Sequence, residues 1–223
     1  MQQKPYTSYN PFFFIPFLCW VIAGGICLGW YDKQELFAAV NMRHTPFLDI
    51  VMYHVTRIGE GAVITVILLV LMGVGVLRNW WYFFTALLCN ALPPLIIQVI
   101  KRIYEAPRPL RYFNDAAWIH IGADWPRLYH NSFPSGHASG AFSFFCFLAC
   151  FLPRKYQAIG MVFFLLALSV AFSRIYLAAH FFSDIYAGSI MGTCLTLLFL
   201  IIMNYFRPRF FKTNDPITTT GAL

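Results

Sequence analysis

The sequence contains little charge. Only 11% of its 223 residues are Asp, Glu, Lys or Arg, whereas 59% are hydrophobic, and the mean hydropathy is +0.63. A typical soluble domain carries about 25% charged residues, so this chain has too little polar surface for an ordinary soluble enzyme. The hydrophobic residues also do not alternate with polar ones, which argues against a β-barrel. These absences indicate an α-helical membrane protein.

The sequence also lacks Cys-x-x-Cys pairs and runs of basic residues. Its six cysteines all lie within hydrophobic blocks, so neither a disulfide framework nor a zinc knuckle is predicted. The net charge of +7 comes from Lys and Arg residues that lie between those blocks, not from a basic arm. We therefore expect no nucleic acid partner. Anionic membrane surfaces and anionic substrates are the expected partners.

Six hydrophobic blocks have approximately the length that a membrane-spanning helix needs, about 20 residues. They run from Pro11 to Tyr31, Gly61 to Leu77, Trp80 to Ile100, His137 to Leu152, Tyr156 to Phe172 and Ile185 to Phe206. The sequence therefore predicts an all-α integral membrane protein with six transmembrane helices in one domain, residues 11–206. Residues 1–10 and 207–223 flank this domain, and the Thr-rich tail is predicted to be disordered.

The charges between the blocks predict the orientation of the chain. An even number of spans puts both termini on one side, together with the short connections that carry Arg78, Arg154 and Lys155. Basic residues are denser there than in the two long loops, residues 32–60 and 101–136, so the positive-inside rule predicts cytoplasmic termini. The long loops are then expected on the periplasmic side of a multi-pass bacterial inner membrane protein.

Three short segments place ionisable residues at the outer membrane edge. The first is K-R-I-Y-E-A-P-R-P, residues 101–109, and the second is P-S-G-H, residues 134–137, at the start of the fourth block. The third is S-R-I-Y-L-A-A-H-F-F-S-D, residues 173–184, between the fifth and sixth blocks. Ionisable side chains at membrane depth are rare and mark functional sites.

The residue types in these segments suit the binding of phosphate. Lys101, Arg108 and Arg174 together would form a strong anion pocket, because guanidinium groups bind phosphate oxygens in a bidentate manner. A helix that opens at Ser135 and Gly136 offers free backbone N–H groups and a positive dipole end to the same anion. The ligand spacings of zinc or magnesium sites do not occur, so no metal and no other cofactor is expected.

Two histidines supply the expected reacting groups. His180 and Asp184 are four residues apart, and on a helix they would share one face. The carboxylate would then fix the tautomer of His180 and leave its second ring nitrogen free to attack phosphorus. His137 would protonate the leaving oxygen.

Together, the three segments resemble the type 2 phosphatidic acid phosphatase superfamily, which also includes the vanadium haloperoxidases and glucose-6-phosphatase. The family pattern is K-x-x-x-x-x-x-R-P, then P-S-G-H, then S-R-x-x-x-x-x-H-x-x-x-D, and this sequence matches every fixed position in order. The resemblance implies that His180 is the nucleophile, Asp184 its orienting carboxylate and His137 the general acid. It also implies a phosphate-binding shell made of Lys101, Arg108, Ser135, Gly136 and Arg174.

We therefore expect a metal-independent phosphatase that hydrolyses a lipid phosphomonoester or diphosphate through a phosphohistidine at the outer membrane face. Candidate substrates are phosphatidic acid, phosphatidylglycerol phosphate, a polyprenyl diphosphate and the phosphates of lipid A. The motifs select neither one of these lipids nor an oligomeric state.

Three alternatives stay open at this point. A lipid phosphotransferase would use the same phosphohistidine with an alcohol as acceptor. A vanadate-dependent peroxidase shares the pocket, but six hydrophobic blocks disfavour it. A non-enzymatic anion channel or carrier would leave the pairing of His180 with Asp184 unexplained.

Overall fold

The structure is a computed structural model that describes residues 9–74, 80–122 and 125–210, with side chains up to residue 207. No β-strand occurs in these ranges, and the prediction of an all-α chain is confirmed for them. The helices are α1 (Pro11–Trp30), α2 (Lys33–Asn41), α3 (Pro46–Arg57), α4 (Gly61–Gly73), α5 (Trp80–Tyr104), α6 (Pro109–Tyr112), α7 (Gly136–Phe151), α8 (Ile159–Tyr176) and α9 (Phe182–Phe210). A 3₁₀ turn at Arg154–Tyr156 connects α7 to α8.

Helix α7 forms the centre of the bundle. Its sequence combines phenylalanines with small residues and contains no Asp, Glu, Lys or Arg, and 12 of its 16 residues are buried. It packs against α5, α8 and α9. Most of the surface of α7 therefore contacts protein rather than lipid. This explains how a helix with several small and serine residues fits in the centre of the bundle.

Two glycines allow α9 to approach α7 closely. A Cβ atom built on Gly188 would lie 2.5 Å from the carbonyl oxygen of Ser135, and one on Gly192 would lie 2.3 Å from that of Ser139. Glycines four residues apart line one helix face and let two helix backbones meet, as is common in membranes. The start of α7 is thus in close backbone contact with the second and third turns of α9.

The outer helices expose hydrophobic side chains, and several are long enough to cross a membrane. Helices α1, α5, α8 and α9 qualify by length and composition, and α3 with α4, bent by 59°, forms a fifth candidate. Helix α7 is shorter, because 16 residues extend only about 24 Å against a hydrocarbon core of about 30 Å. The described chain therefore has four or five candidate spans, and the count of six stays a prediction.

The first long connection, residues 32–60, contains α2 and α3. Helix α2 begins with a capping box, in which the Asp32 side chain accepts the N–H of Glu35 at 2.7 Å and the Glu35 side chain accepts that of Asp32 at 2.9 Å. Helix α3 packs against α8, which brings the long connection to the end of the bundle where α7 and α9 begin. The expectations for residues 1–8, for Arg78 and for the tail beyond residue 210 lie outside the described residues.

Candidate active site

The three motif segments meet at one end of the bundle, where α5 and α8 end and α7 and α9 begin. The backbone N–H of Ser135 donates to the carbonyl of Asp184 at 3.0 Å, which joins the second segment to the third. Arg108 Nη1 donates to the carbonyl of Ala179 at 3.0 Å, which joins the first segment to the third. The structure therefore brings together the regions that the sequence predicted to form one site.

His180 lies beside the carboxylate of Asp184, and both residues are almost completely buried. The Nδ1 atom of His180 is 3.4 Å from Oδ2 of Asp184, and the two residues are 2% and 3% exposed. The same oxygen accepts the backbone N–H of Phe181 at 2.9 Å and the hydroxyl of Ser132 at 2.5 Å. The carboxylate is thus fixed in position on the Nδ1 side of the ring, and Nε2 is the nitrogen that faces away from it.

The pair is formed by a turn and not by one helix face. Helix α9 begins at Phe182, so His180 precedes the helix, and the expected arrangement of both residues on one helical face is corrected. Asp184 lies in the first turn of α9, where free N–H groups and the helix dipole favour a carboxylate. Its side chain reaches back across Phe181 to the imidazole.

The turn between α8 and α9 also couples His180 to Arg174. Ala178 has a φ of 52°, in the left-handed region that non-glycine residues seldom adopt. The chain reverses there, so that the backbone N–H groups of Ala179 and His180 both donate to the carbonyl of Arg174, at 2.9 and 3.1 Å. The histidine and the arginine of the third motif are therefore held in one compact turn.

Lys101 and Arg108 are anchored by backbone carbonyls of the loop that precedes α7. Lys101 Nζ donates to the carbonyl of Asn131 at 2.7 Å. Arg108 Nε donates to the carbonyl of His130 at 2.6 Å. Among the described residues, neither side chain forms a salt bridge with a carboxylate. Their positive charge is therefore available to an anion in the pocket.

Arg174 is the most deeply buried cation of the site. It is 3% exposed, and its Nη1 atom donates to the hydroxyl of Thr56 on α3 at 2.7 Å. Its Nε atom is buried and has no hydrogen-bond partner in the part of the chain that the structure describes. A buried donor without an acceptor is unfavourable, so this N–H suits an oxygen atom of a bound ligand.

The first turn of α7 faces the same pocket. The Ser135 hydroxyl caps the helix by accepting the N–H of Ala138 at 3.3 Å, and it retains a proton that it can donate. Gly136 is the first residue of the helix, at the terminus where backbone N–H groups have no partner within the helix. His137 follows and interacts electrostatically with Arg174 and His180. The predicted residues of the second motif thus lie beside those of the third.

Burial controls the protonation of His180. The loss of contact with water lowers the pKa of His180 to about 3, and the hydrogen bond with Asp184 opposes this shift only in part. The positive charges of Arg108 and Arg174 lower the pKa further. His180 is therefore neutral at physiological pH and keeps a free electron pair on one ring nitrogen.

A largely apolar cavity of about 550 Å³ extends from the site between α4 and α5. His137 lines it at the site end together with Gly136 and Gly140 of α7. Farther along, the lining is dominated by hydrophobic side chains, among them Leu68, Leu69, Met72, Leu87 and Leu95. The cationic pocket beside His180 and this apolar cavity therefore adjoin each other at His137.

Two site residues lie outside the predicted motifs. Ser132 contacts Asp184, and its only sequence signal is its position two residues before P-S-G-H. Thr56 contacts Arg174 across 118 residues of sequence, and nothing in its local sequence indicates that contact. Both were missed because residue spacing describes neighbours along the chain, not neighbours across a helix bundle.

In the ranges that the structure describes, His, Cys, Asp and Glu side chains form no group of three or more that could hold a metal ion. Besides the carboxylate of Asp184, the charged groups that converge at the site are Lys and Arg donors.

Comparisons with known proteins agree with the motifs. Residues 78–208 match the PAP2 superfamily. Phosphatidylglycerophosphatase B of Bacillus subtilis is 31% identical over 182 residues, which are 76% of this chain and 81% of that protein. Lipid A 4'-phosphatase of Bacteroides thetaiotaomicron is 32% identical over a shorter stretch of 90 residues, which are 40% of this chain and 39% of that protein.

The fold is also shared with a solved structure. The crystal structure of a transmembrane PAP2 type phosphatidylglycerolphosphate phosphatase from Bacillus subtilis matches with a TM-score of 0.64 at 24% identity, over 91% of this chain and 100% of that one. At this identity the likeness concerns the fold. Taken with the match over residues 78–208, these findings establish that the chain belongs to the PAP2 superfamily.

Proposed function

We propose that this protein is a membrane phosphatase that hydrolyses a lipid phosphomonoester or diphosphate. One observation carries the proposal: the cationic pocket around His180 adjoins an apolar cavity of about 550 Å³, with His137 lining the junction. The pocket suits a phosphate group, and the cavity suits a hydrocarbon chain. A phosphorylated lipid has both parts.

In the first step, Nε2 of His180 attacks phosphorus while the P–O bond to the lipid breaks. Asp184 holds the proton on Nδ1 and stabilises the positive charge that the imidazole gains. His137, in its protonated form, gives a proton to the departing oxygen, so that a lipid alcohol leaves from a monoester and a lipid phosphate leaves from a diphosphate.

In the second step, water attacks the phosphohistidine. Neutral His137 accepts a proton from this water, the N–P bond breaks, and inorganic phosphate leaves while His180 returns to its neutral form. Throughout both steps, cations and hydrogen-bond donors stabilise the charge on the transferring phosphoryl oxygens. These groups are Lys101, Arg108, Arg174, the Ser135 hydroxyl and the backbone N–H of Gly136.

The relatives support a phosphorylated membrane lipid as the substrate class. One is named for phosphatidylglycerophosphate and the other for lipid A. Phosphatidic acid and a polyprenyl diphosphate carry the same combination of phosphate and hydrocarbon chain and stay candidates.

The proposed enzyme acts at the outer face of a bacterial inner membrane. Residues 11–206 would form one six-span phosphatase domain, in which α7 is a short central span surrounded by the others. Residues 1–10 and 207–223 would be cytoplasmic. The charge distribution of the connecting segments supports this arrangement, since the motif end of the bundle lies opposite the connection between α7 and α8, which carries Arg154 and Lys155.

Phosphate release by the detergent-solubilised protein from a panel of lipid phosphates tests the proposal. The panel contains phosphatidic acid, phosphatidylglycerol phosphate, a polyprenyl diphosphate and lipid A, each assayed with EDTA, and the His180→Ala variant is the control. We expect release from at least one lipid in the presence of EDTA. Loss of turnover with EDTA and its restoration by added Mg²⁺ would contradict the metal-independent mechanism.

The same assay separates the alternatives. A phosphotransferase would transfer the phosphoryl group to an added acceptor lipid, and free phosphate would fall as the phosphorylated acceptor increases. An anion carrier would bind phosphate without releasing it from any lipid.

A further inference from the structure

The indole ring of Trp125 covers the guanidinium group of Arg174. The Cζ atom of Arg174 lies 5.1 Å from the centroid of the Trp125 ring, within the distance at which a cation is attracted to an aromatic face. Tyr53 contacts Trp125 edge-on, with ring centroids 6.3 Å apart. Trp125 belongs to the loop between α6 and α7 and lies outside all three motifs.

Two buried donors without partners occur in this stacked pair. The Nε1 atom of Trp125 and the Nε atom of Arg174 are both buried and have no hydrogen-bond partner among the described residues. The other end of Arg174 is already engaged, because Nη1 donates to Thr56. An indole N–H and a guanidinium N–H can only donate, so both lack the same kind of partner, an acceptor.

An oxyanion would satisfy both donors at once. Leaving a buried donor unpaired destabilises the protein, and a phosphate oxygen has several electron pairs to offer. A Phe ring would also cover Arg174, although it attracts a cation less strongly than an indole, and it would not introduce an unpaired N–H. The stacking therefore accounts for an aromatic ring at this position, but not for the burial of an indole N–H without an acceptor.

We propose that Trp125 is a phosphate-binding residue whose indole N–H donates to an oxygen of the substrate phosphate held by Arg174. This inference rests on the proposed phosphatase function and adds a binding residue from a loop that the family motifs do not cover. The ring has a second effect, since it shields Arg174 from water and thereby strengthens the attraction between the guanidinium and the anion.

Two measurements with orthovanadate as the probe test this proposal. The first uses the wild-type protein labelled with ¹⁵N at its tryptophans, of which the chain has six. The indole cross-peak that is absent in Trp125→Phe identifies Trp125, and we expect it to shift on titration with vanadate more than the other five. A purely structural Trp125 would show no shift larger than those of the remaining indoles.

The second measurement compares inhibition by vanadate in two variants. Trp125→Phe keeps an aromatic ring over Arg174 but removes the N–H together with one of the two fused rings, so we expect a rise of about tenfold in the inhibition constant and a similar rise in KM, with a smaller effect on kcat. Trp118→Phe is the matched control: Trp118 lies in the same loop but packs against Phe37 and Phe113. Trp118→Phe should leave the inhibition constant and KM unchanged.

The outcomes are distinguishable. Phosphate release with normal vanadate inhibition in Trp125→Phe and an unshifted cross-peak would overturn this inference and leave the proposed function intact. A wild-type protein that neither binds vanadate nor releases phosphate from any lipid would overturn the proposed function, and the inference with it. Where the Phe variant is unstable, the spectrum of Trp125→Tyr identifies the same cross-peak, so the wild-type titration still gives its result.

Discussion

Ser132 Oγ donates a 2.5 Å hydrogen bond to Oδ2 of Asp184, the same carboxylate oxygen that lies 3.4 Å from Nδ1 of His180. Ser132 is 1% exposed, and its backbone N–H is fixed by a 2.9 Å hydrogen bond to the carbonyl of Ala106. Ser132 therefore links the backbone of the first motif to Asp184, the carboxylate that orients His180 in the third motif.

Removing this hydroxyl should impair turnover without unfolding the protein. We expect Ser132→Ala to lower kcat about tenfold, because a hydrogen bond to a charged group is lost and Asp184 can move away from the imidazole. Ser183→Ala is the matched control, since Ser183 donates to the other carboxylate oxygen at 3.2 Å from a less buried position. Equal activity of the two variants in a phosphate-release assay would show that the Ser132 contact is not used for positioning.

The two histidines should respond differently to the leaving group. His180→Ala should reduce turnover to background on every substrate, because no nucleophile remains. In His137→Ala the turnover rate on lipid phosphomonoesters should fall about 10²–10⁴-fold. Part of the rate should return with p-nitrophenyl phosphate, whose leaving group needs no proton.

Trapping of ³²P on the protein checks this assignment directly. The phosphoenzyme should form in His137→Ala and be absent in His180→Ala, in variants that keep the wild-type melting temperature. A phosphoenzyme in His180→Ala would reverse the two roles.

The buried state of His180 should make the protein sensitive to acid. Its pKa falls from 6.5 in the unfolded chain to about 3 in the folded one. Between these values the unfolded state binds a proton that the folded state does not, so stability is lost as the pH falls below 6.5, by up to about 1.4 kcal/mol per pH unit. Lowering the pH from 7.5 to 5 should therefore reduce the melting temperature less in His180→Asn than in wild type. Identical decreases in detergent would refute this origin of acid sensitivity.

The contact between α7 and α9 should tolerate no added methyl group. In Gly188→Ala the new Cβ would lie 2.5 Å from the carbonyl oxygen of Ser135, and backbone must move because neither atom belongs to a flexible side chain. We expect a loss of about 1–3 kcal/mol in stability and a marked loss of activity, since Ser135 binds the backbone of Asp184. Gly29→Ala on α1, where no atom lies within 4 Å of the new Cβ, should retain both the melting temperature and the activity.

The motif end of the bundle should face outward. Cysteines introduced at Asn114, in the loop after α6, and at Ala158, in the connection before α8, lie at opposite ends of the predicted topology. In a background without the native cysteines, a membrane-impermeant maleimide should label Asn114→Cys in intact cells and Ala158→Cys only after lysis. Labelling of both from outside would refute the proposed orientation.

The sequence by itself determined the all-α class of fold and predicted the members of the candidate site. Long hydrophobic blocks specify membrane helices because a backbone in lipid must satisfy its own hydrogen bonds, and this property is local to each block. The fixed spacing in K-x-x-x-x-x-x-R-P, P-S-G-H and S-R-x-x-x-x-x-H-x-x-x-D identified the eight predicted site residues, which the structure assembles at one end of the bundle.

Tertiary structure alone decided how these residues meet. His180 and Asp184 pair across the turn before α9, and not along a helix, because Asp184 binds the N–H of Phe181 at the start of that helix. Ser132 reaches Asp184 across 52 residues of sequence and Thr56 reaches Arg174 across 118. Such contacts depend on how closely whole helices pack, which Gly188 permits for α7 and α9. Local sequence patterns carry no measure of that distance, since packing is set by the shapes of both surfaces at once.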